Sequence, residues 1–397
     1  MGATIRSNAN ARYISFVTAF LLLLDMMPYF WWWTQSYPYI GYGLRLMVCF
    51  LFYTKFIGVN RNNGGLILLF LFACFLFAFK SYIITLVLTV PLLFIPYASN
   101  SFIKEVFKSF VTIYCIIVGL ALIAWVLLLL GIINPIRMIA PLNETEFDYY
   151  NVYPLFLVTH SFFDIQSAFR FHGPFDEPGM IGTFSALFLF SNSFDFKNWK
   201  TYVLLFSGIA SFSLFFYLVL FVGLSLYLFS KRKNVGVFSG AFIMFLIIGA
   251  LYLGTKDNEI FERLIWERIE WDSNEGRLSG SNRTTFDAEK FYESKRGTTE
   301  YWFGLNDYEP YRKMAQGSNS YQNIVMHYGM VFLIFYVLFF VLYAKKGSKT
   351  KGSLLLFIFI FISCVYQRPQ VLTCAYIFLY SCLARRETLE LNYSSIN

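Results

Sequence analysis

Charge is scarce in this sequence. Only 14% of its 397 residues are Asp, Glu, Lys or Arg, against about 25% in ordinary soluble proteins. That shortage excludes a conventional water-soluble domain. Histidine is scarcer still: His160, His172 and His327 are the whole complement, and their spacing offers no metal-ligand pattern. The six cysteines, Cys49, Cys74, Cys115, Cys364, Cys374 and Cys382, all fall inside apolar runs. They form neither a disulfide framework nor a metal motif, and read as small core residues. Phosphate loops, dinucleotide fingerprints and nucleophile elbows are missing, and no internal repeat is visible.

What fills the chain is apolar. Hydrophobic residues make up 57% and aromatics 21%, and the mean hydropathy is +0.54. Runs such as FVTIYCIIVGLALIAWVLLLLGII at 110–133 exceed the roughly 20 residues that cross a hydrocarbon core as a helix. The sequence therefore reads as an integral membrane protein. Candidate spans are 13–33, 38–56, 64–79, 82–98, 110–133, 180–194, 201–229, 235–253, 321–343, 353–366 and 370–384. The first follows Arg6 and Arg12 and lacks a small-residue cleavage site, so it reads as a retained helix rather than a signal peptide.

Span 201–229 is too long for one crossing and short for two. Its middle reads GIASFS, small residues that let a chain turn. The net charge of +8 helps decide. With a double pass, Arg6, Arg12, Arg61, Lys104, Lys108, Lys197, Lys200, Lys231–Lys233, the lysines of 345–351, Arg385 and Arg386 all lie on one side. The positive-inside rule makes that side cytoplasmic. About twelve crossings follow, with both termini cytoplasmic. The expected organisation is an N-terminal helical part at 1–133, a first outer loop at 134–179 and central helices at 180–253. A second outer loop at 254–319 and C-terminal helices with a tail at 320–397 complete it.

The two outer loops, roughly 45 and 65 residues long, are well beyond ordinary connections. The second is rich in Trp, Tyr and Phe, which argues against disorder. Its stretch IFERLIWERIEW at 260–271 has apolar residues at helical spacing and reads as an amphipathic helix at the membrane surface. The first ends in RFHGPFDEPGMIGT at 170–183, with Arg170, His172, Asp176 and Glu177 gathered at the mouth of an apolar helix. Arginine suits phosphate because its guanidinium is a planar fork of donors that stays charged. GRLSGSNR in the second loop adds Arg277 and Arg283 among small residues that permit close backbone approach to an anion. The bland reading of these arginines is headgroup binding or pairing with acids.

Glu177 precedes Pro178 and Gly179. A partly desolvated carboxylate there would have a raised pKa and suit a general base. Taken alone, a helix N-terminal acid complementing the dipole is the commoner explanation of such a residue. Asp176 is a weaker candidate of the same kind. His327, in an apolar stretch, is either functional or a single interhelical hydrogen bond. Asp25 and Arg45, both inside spans, either pair or snorkel.

Three of these stretches, in this order, resemble the superfamily of Wzy-type O-antigen polymerases and O-antigen ligases. RFHGPFDEPGMIGT is similar to the family's Arg-x-x-Gly-x-Phe-x-Glu-Pro pattern leading into a helix. The charged outer loop with GRLSGSNR and then WFGLNDY at 302–308 resembles its Gly-Arg segment and later Trp and glycine turn. GSNSYQNIVMHYGMVFLIFY at 317–336 resembles its His-Asn-x-Tyr-Leu segment and the glycine turn after it. YQRPQVLTCAYIFLY, carrying Arg368, fits the outer Arg-Pro before the last helix.

The resemblance implies an all-α, polytopic, GT-C-like inverting glycosyltransferase that needs neither metal nor cofactor. It would transfer a growing glycan from polyprenyl pyrophosphate to a sugar hydroxyl of a new lipid-linked repeat unit. The site would face the periplasm, in the bacterial inner membrane, with a chain-length regulator as a further partner. By position, Arg170, Arg277 and Arg283 would hold the pyrophosphate. Glu177 or His172 would act as base. Gly173, Pro178, Gly179, Asn319, Tyr321, Asn323, His327 and Arg368 would belong to the same site. Ser318 stands where the ligase pattern has histidine, and serine cannot replace imidazole as a base near neutral pH. That departure favours a polymerase over a ligase joining glycan to lipid A core. A transporter of lipid-linked sugars is the remaining alternative. Transporters tend to show internal repeats and midplane polar residues, whereas here charge gathers in two loops.

Overall fold

Apolar stretches with few breakers fold as helices, and helices dominate the structure, a computed structural model. It describes residues 2–31, 38–56, 64–79, 83–140, 149–160, 169–192, 194–231, 254–255, 258–267, 270–272, 277–278, 285–315, 321–367 and 372–389. In chain order the first helices are α1 (Gly2–Met26), α2 (Pro28–Trp31), α3 (Pro38–Tyr53) and α4 (Gly64–Phe79). They are followed by α5 (Ile83–Thr89), which runs into a 3-10 turn at Val90–Phe94, and by α6 (Asn100–Leu129). After a small sheet come α7 (Pro178–Ser191), α8 (Trp199–Ala210) and α9 (Leu214–Lys231). Short helices α10 (Glu259–Phe261), α11 (Phe286–Lys295), α12 (Thr299–Phe303) and α13 (Glu309–Met314) occupy the second polar segment. The chain closes with α14 (Tyr321–Gly347), α15 (Lys351–Gln367), α16 (Cys374–Ala384) and α17 (Arg386–Leu389).

Two of the described helices, α6 and α14, are long and apolar enough to cross a membrane. Around them pack shorter apolar helices, with α7 and α16 buried along their whole length at the centre. Phenylalanine and tyrosine fill this core: Phe110 and Phe188, Phe184 and Tyr376, and Phe340 and Phe361 meet ring to ring at 5.0–5.2 Å. The cysteines are all buried and free.

The bundle has two unlike ends. At one, basic residues collect. Arg385 donates to the carbonyl of Pro96 and to Asn100, Tyr343 donates to the same Pro96 carbonyl, and Lys349 N–H donates to Glu387. Lys200 Nζ donates to Thr112 Oγ1 at 2.6 Å, one turn along α6 from Lys108. The opposite end carries both polar segments. The run 201–229 is two helices, α8 and α9, that turn at Ser211–Phe212–Ser213. Lys200 lies at the basic end, the turn lies at the opposite one, and Tyr227 returns to the basic end under Arg386, 5.4 Å away. The 235–253 span lies outside the described residues.

Several expectations need correction. The fold is mostly helical, as an all-α reading expects, with small strands added. The first polar segment builds an antiparallel sheet β1 (Arg137–Ile139), β2 (Tyr149–Tyr153), β3 (Phe156–His160) in the order β1-β2-β3. Alternating burial of Tyr150, Val152 and Leu157 on one face gives that sheet its own small core. The expected amphipathic helix over 260–271 is helical only as far as Trp266. α10 passes into a single π-turn, Glu262–Trp266, and the chain is extended by Trp271 in β4 (Trp271–Asp272), which pairs with β5 (Arg277–Leu278). Side-chain anchoring at both ends, Phe261 on Phe212 and Trp266 Nε1 on Thr255 Oγ1, accompanies the wider turn. The expected span 321–343 is also interrupted: Gly329 has φ 89° and ψ 157°, a break inside α14.

Candidate functional site

The site is built by helices that stop early. At 1.5 Å per residue, α8 advances about 15 Å from Lys200 to Ala210. From Cys115, whose Sγ donates to the carbonyl of Lys200, α6 advances about 21 Å to Leu129. The polar-segment end of α8 therefore falls roughly 6 Å short of its neighbour's. The N-terminus of α16 is recessed as well, since Cys374 Sγ donates to the carbonyl of Arg45 in the middle of α3. Met180 in the first turn of α7 receives the Tyr376 hydroxyl at 3.8 Å, so both helices begin at one level. Two helix N-termini, with their positive dipole ends, thus face the polar-segment side.

Into this recess folds the loop 169–177. Phe171 N–H donates to the carbonyl of Ala210, and its ring lies 5.7 Å from Trp125 of α6. Leu157 N–H of β3 donates to the carbonyl of Gly173, and Tyr29 N–H donates to that of Pro174. The loop is thereby tied to α2, α8 and the sheet at once. Gly173 is required here. Its φ is +57°, and a Cβ would sit 2.6 Å from Ile181 Cδ1.

Arg170 is half-buried at this turn, and its Nε donates to the carbonyl of Ser211 at 3.3 Å. His172 is 3% exposed. Burial first, and then the charge of Arg170, pulls its pKa down to about 3. The ring is neutral, and its Nδ1 lies 3.1 Å from the carbonyl oxygen of Asp176. A carbonyl only accepts, so Nδ1 carries the proton and Nε2 the lone pair. A group so hard to protonate is poorly matched to general-base work near neutral pH. Glu177 is partly exposed and caps α7 from extended backbone, φ −119° and ψ 138°, with Pro178 as the first helical residue. Asp176 Oδ1 accepts from Glu177 N–H at 3.0 Å.

The second polar segment folds around Ala288, Tyr292, Leu305, Tyr311 and the first turns of α14. Its attachment is backbone against backbone. Leu305 N–H donates to the carbonyl of Met326 at 2.7 Å. A Cβ on Gly304 would lie 2.4 Å from the His327 carbonyl oxygen, and one on Gly329 would lie 2.3 Å from that of Trp302. WFGLNDY and MHYGMV are therefore two halves of one joint. Beside it His327 stacks between Tyr308 (4.2 Å) and Tyr328 (4.0 Å), and Tyr328 stacks on Phe77. Tyr321 stacks on Tyr366, and Asn323 is half-buried in the same first turn of α14.

The structure gathers Arg170, His172, Gly173, Asp176, Glu177, Pro178 and Gly179 in the recess, and Tyr321, Asn323 and His327 at the joint. Phe212 and Phe261, 5.6 Å apart, are where the second polar segment reaches the Arg170 turn. Arg277 lies in β5 opposite Asp272. Its side chain lies outside the described residues, as do Arg283, Ser318, Asn319 and Arg368. Sequence reading missed Phe212, Trp125 and Tyr308. The GIASFS signal pointed to the turn that Phe212 occupies, and nothing in the sequence pointed to the other two. Asp25 and Arg45 do pair, Oδ1 to Nε at 2.9 Å. Among the described residues no three His, Cys, Asp or Glu side chains converge as metal ligands. No family model, curated protein or solved structure matches this chain.

Proposed function

We propose that this chain is a polytopic membrane glycosyltransferase that polymerises a surface polysaccharide in the manner of an O-antigen polymerase. The observation that carries the proposal is the recess. An arginine, a carboxylate and two helix N-termini meet below the level of the longer helices, where bulk water is displaced and charge interactions strengthen. Exposed apolar residues along α6, among them Ile116, Leu120 and Ile123, support a lipid surround. Basic residues at one end and polar segments at the other support about twelve crossings of the bacterial inner membrane, both termini cytoplasmic.

In this reading the acceptor sugar hydroxyl attacks the anomeric carbon of the donor glycan. The bond from that carbon to the diphosphate oxygen breaks, and the configuration inverts. The hydroxyl proton passes to Glu177. The diphosphate leaves on its polyprenyl carrier, and Arg170 meets the charge as it develops, joined by Arg277 and Arg283 from the second segment. His172, neutral and buried, positions the loop through Asp176. No metal or cofactor is required by this scheme, and a chain-length regulator would act from outside it.

The test is polymerisation by purified full-length protein in nanodiscs, supplied with one defined lipid-linked repeat unit. A ladder of products that Arg170→Ala abolishes is the expected result. Absence of any glycosidic product from folded wild-type protein would sink the reading. Transfer of glycan to lipid A core alone would make the chain a ligase instead.

A further inference from the structure

Helix α3 carries a single charged residue, Arg45, and carries it on its inward face. Tyr39, Leu46, Met47, Phe50 and Tyr53 of that helix are exposed and mark its outward side. Arg45 lies opposite them. Val48, Cys49 and Phe52, three, four and seven residues on, share its face, and all three are buried. Yet the Arg45 side chain is 37% exposed. An inward residue is so exposed only where the bundle is open. Gly41, one turn nearer the polar segments on the same face, agrees, since a Cβ there would meet nothing within 4 Å. The opening belongs to the recess. The Arg45 carbonyl accepts from Cys374 Sγ, at the first residue of α16. Its ion-pair partner Asp25 stands one helical turn before Tyr29, which bonds the recess loop at Pro174.

The pair is incompletely satisfied. Asp25 Oδ1 accepts from Arg45 Nε at 2.9 Å, while Asp25 Oδ2 is buried with no hydrogen-bond partner among the described residues. Neither Nη of Arg45 has a partner among the described residues. A charge held inside a membrane bundle by one hydrogen bond is costly, and a further acceptor would complete it. We infer that Arg45 contacts substrate directly, binding phosphate oxygens of a lipid-linked sugar in the recess, with Asp25 as its positioning residue. The planar fork of a guanidinium suits phosphate, and the N-terminus of α16 beside it adds a positive dipole. Asp25 fixes one edge of the fork through Nε and leaves the terminal nitrogens for the ligand. The inference rests on the glycosyltransferase reading for the identity of that ligand. It adds a contact from the N-terminal helices: α3 packs on α1 and α16, whereas Arg170 is held at the α8–α9 turn.

The probe is a polyisoprenyl diphosphate without sugar, titrated onto full-length protein in phosphatidylcholine nanodiscs. Removing Arg45 alone would strand the buried Asp25 carboxylate, so the informative variant is Asp25→Asn with Arg45→Gln, which removes both charges together. With the wild-type thermal midpoint retained, it should bind the diphosphate about tenfold more weakly, the scale of one lost charged hydrogen-bonding group. Polyisoprenol, which lacks phosphate, should bind both proteins alike. Arg45→Lys, which keeps the charge and loses the fork, should weaken binding about threefold, and it replaces the double variant if that protein does not fold. Wild-type diphosphate affinity in the folded variant, or an equal loss for polyisoprenol, overturns the inference. Polymerisation assays with a donor blocked at its own acceptor hydroxyl then separate the two sources of phosphate. A raised KM for a lipid-linked acceptor, with a carrier-free glycan acceptor unaffected, assigns Arg45 to the acceptor's diphosphate. Slower transfer to both assigns it to the donor's. Diphosphate binding that depends on Arg45, in a wild-type protein that forms no glycosidic product, would reject the catalytic reading and keep the anion site. Polymerisation by the wild type with unaltered binding in the variant would do the reverse.

Discussion

At the level of single residues, Arg170 and His172 are held for opposite reasons. Arg170 keeps a charge at the mouth of the recess, while His172 is kept from acquiring one. The His172 pKa is pulled from 6.5 to about 3 in the folded protein. Between those values the unfolded chain binds a proton that the folded chain refuses. Stability from this group is therefore complete above pH 6.5 and falls as pH drops toward 3, by at most about 1.4 kcal/mol per pH unit. Thermal midpoints of wild type and His172→Asn, followed from pH 7.5 to 4, should converge as the pH falls. Parallel curves would show that His172 is not the buried neutral group described. Arg170→Ala should lower the transfer rate about 100-fold or more, the scale of a lost transition-state donor. Arg170→Lys should lose less, since an ammonium keeps the attraction and loses the planar fork. Retention of wild-type rates by both would remove Arg170 from the chemistry. The gathering of these side chains is legible in the sequence because they are neighbours in one loop. The neutrality of His172 is not, because burial depends on α7, α8 and β3 closing over it.

Elements show a similar division. Helices α6 and α14 announce themselves by apolar length, and the α8–α9 turn by its small residues. The sheet β1-β2-β3 and the π-turn at Glu262–Trp266 do not, because short strands and turns are decided by what they pack against. The Gly304–Gly329 joint lies between these cases. Each glycine is visible in its motif, yet only the fold brings WFGLNDY against MHYGMV. Gly329→Ala tests the joint twice over. Its φ of 89° disfavours alanine, and the added Cβ would meet the Trp302 carbonyl oxygen at 2.3 Å. A cost of about 1–3 kcal/mol from backbone conformation alone is expected. It should appear as faster proteolysis within 285–315, the segment the joint holds down, while cleavage elsewhere stays unchanged. Equal protection of 285–315 in both proteins would mean that other contacts carry the attachment.

For the whole molecule, the argument turns on which residues share an end. Charge bias in the sequence demands that 201–229 cross twice, and the structure returns Tyr227 to the end where Lys200 begins. Three observations then agree: the α8–α9 reversal, the lysines in the first turns of α6, and the α14–α15 reversal, with Lys345 in the last turn of α14 and Lys349 between the two helices. Orientation in a bilayer follows if the basic end is cytoplasmic. The six native cysteines are buried, so single introduced cysteines report cleanly. Lys197→Cys and Lys349→Cys, at exposed positions of the basic end, should react with a membrane-impermeant thiol reagent only after cells are permeabilised. Met138→Cys on β1 and Glu309→Cys on α13, exposed at the other end, should react without permeabilisation. Labelling of Lys197→Cys and Lys349→Cys from opposite sides would break the double pass. With it would go the common outer face on which Arg170 and the second polar segment must meet.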